Sequence, residues 1–189
     1  PRRFDAVPVG LDRARGVILV GGRSGVDPAD VAALHSATGW PIIADPVSMM
    51  RHLPGVVTTA DSLLRHETFA AAHLPDVIVR IGRPAASKVL AQWTARATAN
   101  GAVLVQVGGP GVIDPDHNVA AICSIGSILG VAVAPEVSWA TSWAGAERAA
   151  DEAIVVALAE FAELTEPSVA RLVAEHLPVD AELVVSSSM

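Results

Sequence analysis

Short runs of β-branched and aliphatic residues recur along this chain. Between them lie longer stretches whose apolar residues fall at helical spacing. The runs occupy residues 16–21, 41–45, 77–81, 101–107 and 119–123, with a further strand-like run at 182–186. Continuous apolar runs of this length read as strands buried on both faces. They alternate with helical segments at roughly 30-residue intervals, the pattern of a parallel sheet covered by helices on both sides. Right-handed crossovers then follow. The expected fold is α/β, a Rossmann-like open parallel sheet of about five to six strands.

Local signals place the helices. Asp27 is an N-cap with Pro28 at the first helical position, and Gly39 stops that helix. A second helix is expected over residues 59–73. A third follows Gly82 and Pro84, with Val89, Leu90 and Trp93 on its apolar face. A long helix is expected over 138–164, with Trp143, Ile154 and Phe161 on its apolar face. A last one runs from the cap Thr165 to His176, with Val169, Leu172 and Val173 inward. Residues 128–133 read equally as strand or loop. By domain, 1–15 is a linker, 16–164 a central α/β domain, and 165–189 a helix and first strand leading into a further domain. A first residue of Pro and an end directly after a strand-like run mark the chain as a piece of something longer.

With 51% hydrophobic and 17% charged residues, the 189-residue chain can bury a core and is not a disordered one. Its formal charge is −7, and no basic cluster exceeds the adjacent pair Arg2 and Arg3, which argues against a nucleic-acid surface. Cys123 is the only cysteine, so no internal disulfide forms; this fits a reducing compartment such as the cytoplasm. No apolar run reaches the roughly 18 residues that a membrane span needs, and no signal segment opens the chain.

The chemistry concentrates after the third strand. Lys88, the only lysine, stands where the third strand's carboxyl end feeds a helix N-terminus. Open α/β sheets bind ligands at that edge, and the unpaired N–H groups of a helix start favour anions. Arg80 lies inside the strand and Arg83 just past it. Arg65 has Asp61 at i, i+4. Small di- or tricarboxylates are the natural ligands for such cations. For Arg80 itself, pairing with a structural acid such as Asp45 or Asp76 is the favoured reading. No self-contained catalytic motif is present. The six histidines lack metal-ligand spacing, and His66 and His73, seven apart on one helix face, read as surface. Gly21, Gly22 and Gly25 do not complete a dinucleotide fingerprint and read as a tight βα turn.

Several of these stretches resemble a known family. Pro41-Ile-Ile-Ala-Asp-Pro-Val-Ser48, Asp61-Ser-Leu-Leu-Arg65, the string from Arg80 through Ser87-Lys88 to Trp93, and Ser186-Ser-Ser-Met189 are similar to the middle part of the MenD family. These are menaquinone-pathway synthases that use thiamine diphosphate. The resemblance covers residues 16–189. It implies the central domain of three, with the pyrimidine-binding and diphosphate-binding domains, and with them the activating glutamate and the Mg2+ or Mn2+ site, outside this sequence. The activity implied for the whole protein is a carboligation: 2-oxoglutarate is decarboxylated and the succinyl-semialdehyde carbanion equivalent adds to isochorismate. The resemblance gives Lys88 and Ser188 as substrate-binding residues; Arg83, just past the third strand, is a further substrate-binding candidate by its position. Arg65 and Arg80 are candidates for an acidic effector. It implies no cofactor on this segment, no activity from it alone, and a homodimer or homotetramer for the whole protein. Two other readings stay open. One is a central domain of another thiamine-diphosphate enzyme, acetolactate-synthase-like and holding a flavin or nucleotide. The other is a small-carboxylate-binding regulatory module.

Overall fold

The computed structural model describes residues 10–184. Among the described residues five strands form, each where a β-branched run meets a turn: β1 (Gly16–Val20), β2 (Ile42–Ala44), β3 (Val77–Ile81), β4 (Val103–Val107) and β5 (Val119–Cys123). All pair in parallel, in the order β2-β1-β3-β4-β5. Every residue of β1, β2 and β3 is buried, as two-sided coverage requires. β5, at one edge, is only partly buried.

The helices cover both faces. On one side α1 (Pro28–Thr38) contributes Val31 and Leu34, and α5 (Ile125–Leu129) contributes Ile128. On the other lie α2 (Ala60–Arg65), α3 (Glu67–Ala72), α4 (Lys88–Ala99) and the start of α6 (Val137–Glu160). Asp27 caps α1, accepting the Ala29 N–H at 2.8 Å, and Gly39 ends it in the left-handed region at φ 68°. Trp93, Trp139 and Trp143 meet edge to face under the second layer, with Phe69 and His73 against them. Burying one such ring contributes about 1.5–3 kcal/mol. Trp139 also donates from Nε1 to the Gly16 carbonyl at 2.9 Å, tying α6 to the start of β1.

Several expectations need correction. The helix over 59–73 is broken at His66, whose ψ of 105° ends α2 and starts α3. His66 and His73 instead flank the short α3 as its N-cap and C-cap. His73 is part-buried, stacked on Phe69 and hydrogen-bonded to Ser142, rather than a surface residue. Of residues 128–133, open between strand and loop, Ile128 and Leu129 end the short α5 that Ser124 caps, and 130–133 are loop. Residues 182–184 have no regular structure, and the rest of that expected strand lies outside the described residues.

The chain divides into two units, Pro1–Ala150 and Asp151–Met189. The first holds the sheet and both cores. The second holds the last turns of α6 and all of α7 (Glu166–His176). Thr165 and Ser168 form a capping box at the start of α7, as the sequence indicates. The inward packing expected of Val169, Leu172 and Val173 is not found: each is more than 40% exposed. Ile154 and Phe161 are likewise exposed. No residue of α7 is buried, because no described layer of this unit covers its apolar side.

Candidate functional site

With strand order 2-1-3-4-5, the crossovers diverge between β1 and β3, the position where sheets of this kind bind ligands. Here main chain from three loops meets beside that position. The Gly21 N–H donates to the Ile81 carbonyl at 2.9 Å, and the Arg83 N–H to the Gly22 carbonyl at 3.0 Å. The Gly82 N–H donates to Val107 and the Gly109 N–H to Ser24, each at 3.0 Å. A Cβ on Gly21 would stand 1.7 Å from the Arg83 carbonyl oxygen. These glycines let three loops interlock, so the Gly21-Gly22 turn serves packing, as its incomplete fingerprint indicates.

Lys88 is the first residue of α4 and stands past the carboxyl end of β3, exposed. It takes part in none of the three ion pairs among the described residues. The cap beside it is well held. Ser87 Oγ accepts the Leu90 N–H at 3.0 Å and donates to Asp61 Oδ1 at 2.5 Å. Asp61 also accepts from Arg65 Nε at 2.9 Å, so the expected i, i+4 pair forms. The Ser87 hydrogen bond holds the Asp61 carboxyl below its ordinary value; Arg65 adds to this, and slight burial opposes it.

The start of α2, which carries Asp61, is fixed from α6. Glu147 accepts four hydrogen bonds: Thr58 N–H (2.8 Å), Thr58 Oγ1 (2.6 Å), Thr59 N–H (3.0 Å) and Thr59 Oγ1 (2.5 Å). Burial pushes the Glu147 carboxyl up, but these donors outweigh it and the net shift is downward. Two carboxylates thus link α6 to α2 and α2 to the start of α4. Sequence reasoning missed Glu147, which lies about 90 residues from its partners and carries no local signal.

Arg80 is buried, but not against the expected acids. It donates to Gln106 Oε1 at 3.2 Å and to the Ile113 carbonyl. The register explains this: Arg80 lies opposite Gln106 on β4, whereas Asp76 precedes β3 and Asp45 follows β2, beyond β1. Burial lowers the guanidinium's pKa, while the charges of Asp114 and Asp116 oppose that shift. Its Nε finds no partner among the described residues. Gln106 was a readable signal, being the one polar residue in the β4 run. Arg80 and Arg83 line one cavity of about 130 Å³ together with the polar Asp116 and Asn118 and the apolar Leu19 and Leu90. Neither Arg65 nor Lys88 lines it. Ser188 lies outside the described residues. Among the described residues, no group of three or more His, Cys, Asp or Glu is placed to hold a metal ion.

Residues 9–185 match the protein family described as the middle domain of thiamine pyrophosphate enzymes. The curated relatives compared are 2-succinyl-5-enolpyruvyl-6-hydroxy-3-cyclohexene-1-carboxylate synthases. That of Myxococcus xanthus is 37% identical over 186 residues, taking in 93% of this chain and 31% of the relative. That of Thermobifida fusca is 34% identical over 190 residues, taking in 100% and 33%. That of Synechococcus elongatus is 30% identical, taking in 93% and 32%. The chain spans about a third of the length of these relatives.

Proposed function

The chain belongs to the family of thiamine pyrophosphate enzyme middle domains, and from that premise we propose that it is the middle domain of a MenD-type synthase. The observation that carries the proposal is likeness along nearly the whole chain to proteins that all bear one synthase name. The reaction proposed for the whole protein joins 2-oxoglutarate, after decarboxylation, to isochorismate. Residues 165–189 lead into the next domain, and the working protein is a cytoplasmic homodimer or homotetramer. Among the described residues no helix is long and apolar enough to cross a membrane.

Thiamine diphosphate and its Mg2+ or Mn2+ belong, on this reading, to the other domains of the whole protein. This segment's part is to bind and orient carboxylates, and alone it is inactive. Lys88 supplies a point charge at the start of a 12-residue helix, where N–H groups already favour anions. Arg83 and Ser188 join it on the substrate. The test is a chimera in which this chain replaces the middle third of the Myxococcus xanthus synthase. Product from 2-oxoglutarate and isochorismate supports the assignment; a folded but inactive chimera counts against it. Lys88→Ala in the chimera is expected to raise the KM for an acidic substrate about tenfold, with kcat changed less. An unchanged KM would remove Lys88 from the site.

A second reading rests on the cavity holding Arg80 and Arg83. Arg80 offers a buried, incompletely bonded guanidinium to an acidic effector. Arg65, already spent on Asp61, would have to exchange partners to take part. Calorimetric titration with aromatic carboxylates, repeated on Arg80→Met and Arg65→Ala, tests it. Equal heats from all three proteins would end it.

A further inference from the structure

The formal charge of the chain is not spread over it. Beyond Ala150 stand eight carboxylates against one arginine, Arg171, which accounts for the whole of the −7. The residues up to Ala150 hold twelve acids and twelve bases. The same second unit exposes its large apolar side chains. Phe161 is 62% and Leu164 71% exposed, in the connection between α6 and α7. Val169, Leu172 and Val173 fall at i, i+3 and i+4 and form one stripe on α7. Leu172 also shares a shallow groove with Val155 and Leu158 of α6. A unit of this size does not bury enough surface to stand alone. Contiguous apolar surface of this kind marks an interaction site.

We propose that the α6–α7 hairpin docks, by the Val169–Val173 stripe and the Phe161 connection, on a protein surface that is apolar at its centre and rimmed by lysine or arginine. Charge decides the occupant. A second copy would bring one net-negative unit against another, and like charges juxtaposed across an interface are costly. An anionic lipid surface is disfavoured for the same reason. A basic rim gains from both the charge and the stripe. In the relatives this segment is one third of a longer chain, so polypeptide able to supply such a surface accompanies it there.

The test uses the 189-residue chain and three synthetic peptides of roughly five helical turns. One is an amphipathic Leu/Lys helix, one the same peptide with Glu for Lys, and one a scramble of the Leu/Lys composition with no apolar face. The first is expected to bind at least tenfold more tightly than either control. Val169→Gln with Val173→Gln, both at exposed positions, is expected to lose at least tenfold of that binding. Hydrogen exchange on the unaltered chain is expected to slow in α7 and the end of α6 when the first peptide is present. Any of four results overturns the proposal: either control peptide binds as tightly, the double variant binds unchanged, sedimentation shows a dimer that the double variant dissolves, or uncharged vesicles protect α7 more than the peptide does.

Discussion

Glu147 satisfies four donors at the start of a helix to which it does not belong. Because the group is only half-buried, solvent screens part of the gain, and Glu147→Ala is expected to cost about 1–2 kcal/mol. Its carboxyl titrates below the ordinary 4.5. The stabilisation is therefore complete above the unfolded glutamate's pKa and is lost as the pH falls through the lower folded value. Urea midpoints should separate the parent from Glu147→Gln at about pH 7 and converge at about pH 3; a gap that is constant with pH would show that the carboxylate's charge is not involved. Arg80→Met takes the side-chain donor from the buried Ile113 carbonyl, while Gln106 Oε1 keeps the Ile113 N–H, an expected loss of about 1–3 kcal/mol in chemical denaturation. At this scale the sequence was half legible. Arg80 and Gln106 each stand out as a polar interruption of an apolar strand, but only strand register makes them partners. The Asp61 and Arg65 pair was readable because both lie on one helix turn.

The turns after β1, β3 and β4 are fastened to one another rather than held open. Gly82, at φ 78°, has backbone of Gly22 and Ser24 within 3.0 Å of where a Cβ would be. Gly101 has a similar φ of 94° but open space around it. Gly82→Ala is expected to cost well over 2 kcal/mol and Gly101→Ala about 1 kcal/mol, since only the first adds a clash to the strained backbone. Thermal melts of the two variants measure the difference, and equal shifts would show that the loops separate freely. Strand positions were legible because β-branched runs bounded by glycine have few alternatives. The break at His66 and the short α5 were not, because the turn at His66 shows only in its backbone angles and α5 is a brief helix anchored by the single buried Ile128.

For the whole molecule, parallel layering followed from alternating strands and helices, whereas the order 2-1-3-4-5 did not, since periodicity carries no information about which strands become neighbours. The two units are expected to differ in persistence. Amides of β1, β3 and β4, buried in the sheet, should exchange only on global unfolding, and those of α7 within seconds to minutes. Mass-resolved exchange of the free chain reads this directly; equal protection in α7 would mean that it already has a cover.

The register of the sheet also bears on synthesis. β1 sits between β2 and β3, and Gly16 meets Val77 only after about sixty further residues have been made. While the ribosome produces them, one side of an almost wholly aliphatic strand has no neighbour. Until Ile81 clears the exit tunnel, the nascent chain offers that bare edge to any other strand it encounters, which makes this interval the one in which a chaperone has most to protect.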